Sequence, residues 1–363
     1  MPARIGVLTQ APEAPLTSSA WIRLLLPLQL LERQGHCQIR RLQWPKPHRP
    51  ALPRLKGLAA LIVQRAACPS LPWAEALVTA CQARGVPLIF DLDDALFALP
   101  VTHPEHQRYA PTLAALNHLL AQASLRVYSS PALAELCGQH LRRLGHADRP
   151  HAVLPNGLDP TTWGRRRFPC RCRQGDPLQL LYMGTRTHNA DLALILPELD
   201  ALAAARPGLF ELTLIGGTSE PLQGQRPWLQ TLEVPLQARR YPQFVAWLRQ
   251  CPRADLGLAP LAPNPFNAAK SDLKVLDYAA LGLPTLCSSG PAYNDLIASG
   301  LAEGAEPGEW GQRIRWAARH RWRLRWRAYR VRRYLWGQRT VCHMARDWRQ
   351  LLSPTAAWRR LSP

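Results

Sequence analysis

The densest run of chemically useful side chains lies between Asn264 and Asp295, reading NPFNAAKSDLKVLDYAALGLPTLCSSGPAYND. Ser271 is placed to cap a following helix, which would leave the N–H groups of Asp272, Leu273 and Lys274 facing outward. Free donors at a helix start attract anions, because hydrogen bonding and the helix dipole both favour negative charge there. Lys270 and Lys274 add positive charge beside that start. Asp277 follows about one and a half turns into the helix, where a carboxylate could accept hydrogen bonds from a vicinal diol such as a ribose. Gly282 ends the helix and Pro284 prevents its continuation into the next strand.

A second group, Asp91, Asp93 and Asp94, follows the apolar run Val86–Phe90. Asp93 and Asp94 are candidate catalytic carboxylates, able to orient or deprotonate an acceptor hydroxyl if one of them titrates near the working pH. Clustering favours a raised pKa in one of them; the competing reading is that one caps the next turn. Ser18 and Ser19, with Thr17, occupy the first strand-to-helix loop and are candidates for acceptor contact, or for the cap of the helix they precede. An alternative chemistry is a phosphohydrolase. Asp91 and Asp93 have the nucleophile and acid/base spacing of the haloacid dehalogenase signature, which this stretch resembles, although Ala95 stands where that signature has Thr or Val.

Elements to hold these groups are legible on either side. Strands are expected near 4–8, 58–63, 86–90, 125–128 and 151–154, with helices at 20–34, 73–84, 111–123 and 131–144. Pro27 should kink the first of these helices. After a proline- and arginine-bearing break the alternation restarts, with strands at 178–183, 210–215, 232–236, 254–259 and 284–288 and helices at 190–205, 241–250 and 272–281. Strands alternating with helices imply parallel sheets covered on both faces. The fold class is therefore α/β, two doubly wound Rossmann-like domains facing a cleft. The expected organisation is a first domain over 1–160, a linker over 161–177, a second domain over 178–306 and a basic Trp/Arg-rich helical tail over 307–363.

The 363 residues suit about two domains, and a hydrophobic share of 47% excludes global disorder. A net charge of +20 implies an anionic partner. Nine cysteines, an odd number at irregular spacing, disfavour a secreted disulfide framework. Cys170 and Cys172 lack a matching second pair, and no metal site is expected. No signal peptide or membrane span is legible, so a cytoplasmic setting is expected. The tail holds about half of the 13 tryptophans and the run Arg321–Arg327, RWRLRWR. It reads as two helices with Trp and Arg stems on the surface, facing either the two domains or an anionic membrane. No specific nucleic-acid partner is expected, since no recognised nucleic-acid module is present.

The pattern K-S-x-x-K-x-L-D-Y-A-A-L-G-x-P at Lys270–Pro284 resembles the donor-binding segment of family 4 glycosyltransferases, in particular bacterial cell-surface and O-antigen members. Three more segments resemble that family in order: Val127–Leu133 (VYSSPAL), Val153–Asp159 (VLPNGLD) and Leu181–His188 (LYMGTRTH). The resemblance covers about residues 1–305. It implies a GT-B hexosyltransferase, retention at the anomeric carbon, no obligatory metal or cofactor, and a nucleotide sugar as donor substrate. The acceptor it implies is a saccharide or lipid-linked molecule. It also implies donor contacts from Gly184, Thr185, Arg186 and His188, and from Lys270, Ser271, Asp272, Leu273, Lys274 and Asp277. Two positions depart from the pattern. Ala269 stands where the first of two glutamates belongs, and Thr185 stands where a phosphate-binding Arg belongs, with Arg186 beside it.

Overall fold

The computed structural model describes residues 2–9, 17–42, 52–147, 149–164, 175–216, 226–251 and 254–356, with only the backbone described at Arg186. The chain forms two compact units. The first comprises Met1–Asp159, Ala269–Ser271 and Val341–Pro363; the second comprises Pro160–Ala268 and Asp272–Thr340. The segment 307–363 is thus divided between the units. Arg165–Arg167, Cys170 and Cys172 lie outside the described residues.

The first unit contains a parallel sheet in the order β2-β1-β3-β4-β5-β6. Its strands are β1 (Ala3–Leu8), β2 (Cys37–Arg41), β3 (Ala60–Gln64), β4 (Leu88–Leu92), β5 (Leu125–Tyr128) and β6 (His151–Val153). β3, β4 and β5 are buried along their whole length, as central parallel strands covered on both faces must be. The expected strand over 86–90 begins and ends two residues later, so Asp91 and Leu92 belong to β4.

The expected helix at 20–34 is built in three pieces. Thr17, rather than Ser18 or Ser19, caps it: its Oγ1 accepts the Ala20 N–H at 3.2 Å. Ser18–Ala20 runs into a π-turn over Trp21–Leu25 and then the α-helix Leu26–Arg33. The break expected at Pro27 therefore takes the form of a widened turn just before it. Pro27 has no N–H and denies the Arg23 carbonyl its donor four residues on. That carbonyl accepts the Trp348 indole N–H at 2.9 Å instead. Trp348 belongs to the helix Val341–Leu352, which enters the core formed by Ile5, Leu24, Leu28, Ile62, Ile89 and Val127.

The second unit contains a parallel sheet in the order β12-β11-β10-β7-β8-β9. Its strands are β7 (Leu178–Met183), β8 (Phe210–Ile215), β9 (Leu229–Leu232), β10 (Leu256–Ala259), β11 (Thr285–Ser288) and β12 (Glu303–Ala305). The expected helix at 190–205 is broken into Asn189–Ala193 and Leu196–Ala205, with Pro197 at the start of the second piece, where its missing N–H costs nothing. The helix Leu273–Ala280 crosses β10 closely. Tyr278 lies against Gly257, and its hydroxyl accepts the Met183 N–H at 3.1 Å and donates to the Leu258 carbonyl at 2.8 Å.

Among the described residues beyond β12 there are three helices, not two: Trp310–Arg319, Arg321–Gln338 and Val341–Leu352. Nor are their tryptophans all superficial. Trp310 and Trp348 are fully buried, while Trp322 and Trp326 are exposed.

Candidate functional site

Strand order tells where each unit would bind a ligand. In the second sheet β7 sits beside β10, and the chain winds outward from this pair in opposite directions. Such a reversal opens a crevice at the carboxyl ends of the two strands. The loop after β7 is Gly184–His188, and the loop after β10 runs through Leu261 and Ala262.

Asp191, buried to 3% exposure, ties these loops together. Its Oδ2 meets His188 Nδ1 at 2.9 Å, while Oδ1 accepts the Ala262 backbone N–H and the Asn267 side-chain N–H, each at 2.8 Å. Asn267 also donates to the Ala262 carbonyl at 2.9 Å. His188 is thereby held by a carboxylate that is itself held twice, and its ring remains partly exposed. Neither Asp191 nor Asn267 was expected from sequence; the signal for the first is its position three residues after His188 in the first turn of a helix.

Around this dyad the backbone is tight. Gly216 adopts φ +112°, and a Cβ there would fall 1.8 Å from the Gly184 carbonyl oxygen. Glycine is required because β8 must end against the loop after β7. Thr185 is exposed and its hydroxyl meets that of Thr187 at 2.7 Å.

The helix start differs from expectation. Asp272 occupies the N-cap position with no side-chain capping bond. Its carboxylate is taken bidentately by Arg339 at 2.6 and 2.7 Å. Ser271 is not the cap: its hydroxyl accepts the Asn156 side-chain N–H at 2.9 Å, within the first unit. At this start the Val275 N–H closes back on the Asp272 carbonyl at 2.9 Å. Lys274 Nζ sits 4.9 Å from the centre of the Tyr182 ring, a cation–π contact. Asp277 is half-buried, and burial pushes its carboxyl up to about 8 against the pull of Lys274.

In the first unit the winding reverses between β1 and β3. Gln64, the last residue of β3, donates to Ser19 Oγ at 3.2 Å and to Asp91 Oδ2 at 3.1 Å. Ser18 is exposed. Arg65 follows Gln64 with φ +47°, a backbone conformation costly for a residue with a Cβ. It reaches Asp93 Oδ1 at 3.2 Å and Asp94 Oδ2 at 3.4 Å. Asp93 is the more buried of the two, and its carbonyl accepts the Ser129 hydroxyl at 2.8 Å. Neither aspartate caps the following 3-10 turn at Leu96–Ala98. Burial and then the neighbouring Asp93 raise the Asp94 carboxyl above its usual range, while Arg65 and Lys270 oppose the shift. Lys270 thus acts on the aspartate cluster.

Asp91 is not available for nucleophilic attack. It is fully buried and forked by Arg23, whose Nη2 lies 2.6 Å from Oδ1 and whose Nε lies 3.0 Å from Oδ2. Arg23 in turn donates to the Leu154 carbonyl and to Asn156 Oδ1. Asn156 therefore belongs to a structural network, and the phosphohydrolase reading of Asp91 and Asp93 loses its nucleophile. Ala269, at the position of the missing glutamate, is buried to 1% exposure, and its carbonyl accepts the Ser130 hydroxyl at 2.9 Å. Among the described residues, no three His, Cys, Asp or Glu side chains come together as a metal site.

No protein-family model matches the sequence, and no curated protein does. Solved structures do match in fold. Anabaena HepE, solved in complex with UDP-glucose, superposes with TM-score 0.62 at 16% identity, over 96% of this chain and 99% of its own. Sucrose-phosphate synthase from Thermosynechococcus elongatus gives TM-score 0.62 at 15% identity over 96% and 98%. A UDP-forming α,α-trehalose-phosphate synthase from Burkholderia vietnamiensis gives TM-score 0.62 at 12% identity over 98% and 98%. The two parallel six-stranded sheets with their helices match the two Rossmann-like domains of these GT-B proteins. The fold is GT-B.

Proposed function

We propose that the protein transfers a sugar from a nucleotide-sugar donor to a saccharide or lipid-linked acceptor, with retention at the anomeric carbon and without an obligatory metal or cofactor. The observation that carries this reading is the His188–Asp191 dyad at the strand reversal of the second sheet. A protonated imidazole has a donor on each nitrogen. Asp191 holds the Nδ1 side of the ring, and the imidazole so oriented would meet an anionic group of the donor. The loop Gly184–His188 and the helix start at Leu273–Lys274 would bind the diphosphate, and Asp277 would hold the ribose. These contacts would stabilise the negative charge that grows on the leaving nucleotide as the glycosidic bond breaks.

In the first unit, Asp94 is the stronger candidate for the group that meets the acceptor hydroxyl. It is more exposed than Asp93 and its carboxyl is raised toward the range where a base works. Ser18 and Ser19 flank the acceptor side in this reading.

The test is a thermal-shift panel of nucleotides and nucleotide sugars on the wild type, His188→Ala and Asp277→Ala. A ligand that binds the folded state raises the melting temperature by mass action. UDP and UDP-glucose come first, since a fold neighbour was solved with each. A shift that both substitutions reduce is the expected result. No shift with any nucleotide, on folded protein, would remove donor binding from the reading.

A further inference from the structure

The helix Arg321–Gln338 has two faces of opposite use. Leu324, Ala328, Val331 and Leu335 are buried, and Leu324 enters the core of the second unit with Trp310 and Ile314. On the other side, Trp322, Trp326 and Tyr329 are 64%, 57% and 58% exposed. Their spacing of four and then three residues places the rings in one line along the helix. Arg333, also exposed, continues that line, for a length of about 16 Å. This helix holds seven arginines and no carboxylate. Arg321 and Arg327 are engaged by Asp255 and Glu303. Arg323 and Arg330 instead lie over the exposed rings, 4.8 Å from the centre of Trp322 and 4.7 Å from that of Trp326.

Folding does not require these rings, because the core is closed by the opposite face. An aromatic line set among guanidinium groups matches one environment well. At the boundary of an anionic bilayer, indole and phenol rings enter the headgroup layer while cations meet lipid phosphates. Nucleic acid fits less well. Stacking needs open ring faces, and one face of each indole is already covered by a guanidinium. We propose that the face formed by Trp322, Trp326, Tyr329 and Arg333 docks the second unit on an anionic lipid surface. This docking is independent of what the Gly184–Asp277 site binds.

Truncation is a poor test, since Trp310, Ile314 and Leu324 are core residues of that unit. Full-length protein should instead be floated with phosphatidylglycerol/phosphatidylcholine vesicles and with pure phosphatidylcholine vesicles. Binding only to the anionic vesicles, weakened by salt and accompanied by a blue shift of tryptophan emission, is the expected result. The triple variant Trp322→Ser/Trp326→Ser/Tyr329→Ser should partition at least about ten-fold more weakly, with an unchanged melting temperature. Arg323→Glu/Arg333→Glu should give a comparable fall at low salt. The proposal is overturned if the wild type does not float, or if a folded variant floats as well as the wild type. It is also overturned if the triple variant loses affinity for a single-stranded oligonucleotide while keeping its affinity for vesicles.

Discussion

His188 Nδ1 stands 2.9 Å from Asp191 Oδ2, and the other oxygen of that carboxylate is occupied by two N–H donors from the segment after β10. Each of these three partners brings an N–H to the carboxylate, a geometry that a carboxylate satisfies and an amide does not. In Asp191→Asn, the new NH2 must face either the imidazole N–H or the donors of Ala262 and Asn267. We expect Asp191→Asn and His188→Ala each to lower turnover by about 10–100-fold, with the double variant little worse than either. Steady-state kinetics of the three variants check this. Additive losses would mean that Asp191 does not act through His188.

The aspartate cluster makes a prediction about acid. Asp94 is raised by burial and by Asp93, and Arg65 pulls it down. If Asp94 is the base, activity falls as pH drops through its raised pKa, so the acid limb lies above the usual carboxylate range. Removing the opposing charge in Arg65→Ala should move that limb to still higher pH. Asp94→Asn should cost about 10²–10⁴-fold in turnover and abolish the limb. A pH profile of kcat for the three proteins decides the matter.

Asp277 makes a prediction about stability. Its folded pKa is raised to about 8, against roughly 3.9 in an unfolded chain. Between those values the folded state holds a proton that the unfolded state has released. Its contribution to stability is therefore complete below about pH 4 and declines as pH rises to about 8. Asp277→Asn should flatten this part of the curve, and at pH 9 it should melt no lower than the wild type. Urea titrations across that range measure it.

The helix Leu273–Ala280 can approach β10 because Gly257 has no side chain: a Cβ there would lie 2.5 Å from the Tyr278 ring. Backbone and ring are both packed, so Gly257→Ala should cost about 1–3 kcal/mol. Tyr278→Phe removes the hydroxyl that bridges Met183 N and Leu258 O, and should cost a similar amount through the buried N–H left unpaired. Chemical denaturation gives both values. Because Met183 precedes Gly184, Tyr278→Phe should also weaken nucleotide binding.

The alternation of elements was legible because apolar runs such as Leu178–Met183 and Leu125–Tyr128 are parallel strands buried on both faces. β2 is not legible: Cys37–Arg41 is an edge strand with one buried residue, and its polar composition carries no such signal. The apolar run alone sets β4 two residues too early, because Asp91 looks like its end. It is inside the strand only because Arg23 neutralises it from 68 residues away. The site divides in the same way. Residues within one segment, from Lys270 to Asp277, could be gathered by motif. Arg65, Gln64 and Asn267 come from segments distant in the chain, and only the strand order brings them to Asp94, Ser19 and Asp191. The tail misled because alternating Trp and Arg hides which ring turns inward; Trp310 and Trp348 do, and Trp322 and Trp326 do not.

The helix Val341–Leu352 has a bearing on how such proteins can exchange parts. It is encoded after the second unit, yet Met344, Ala345, Trp348 and Leu352 complete the core of the first. A gene graft joined only near residue 160 would transplant β1–β6 without the indole that takes the Arg23 carbonyl. A working hybrid must inherit both chain ends from one parent, so recombination between relatives should preserve inserts replacing the middle of the gene rather than simple front-to-back fusions.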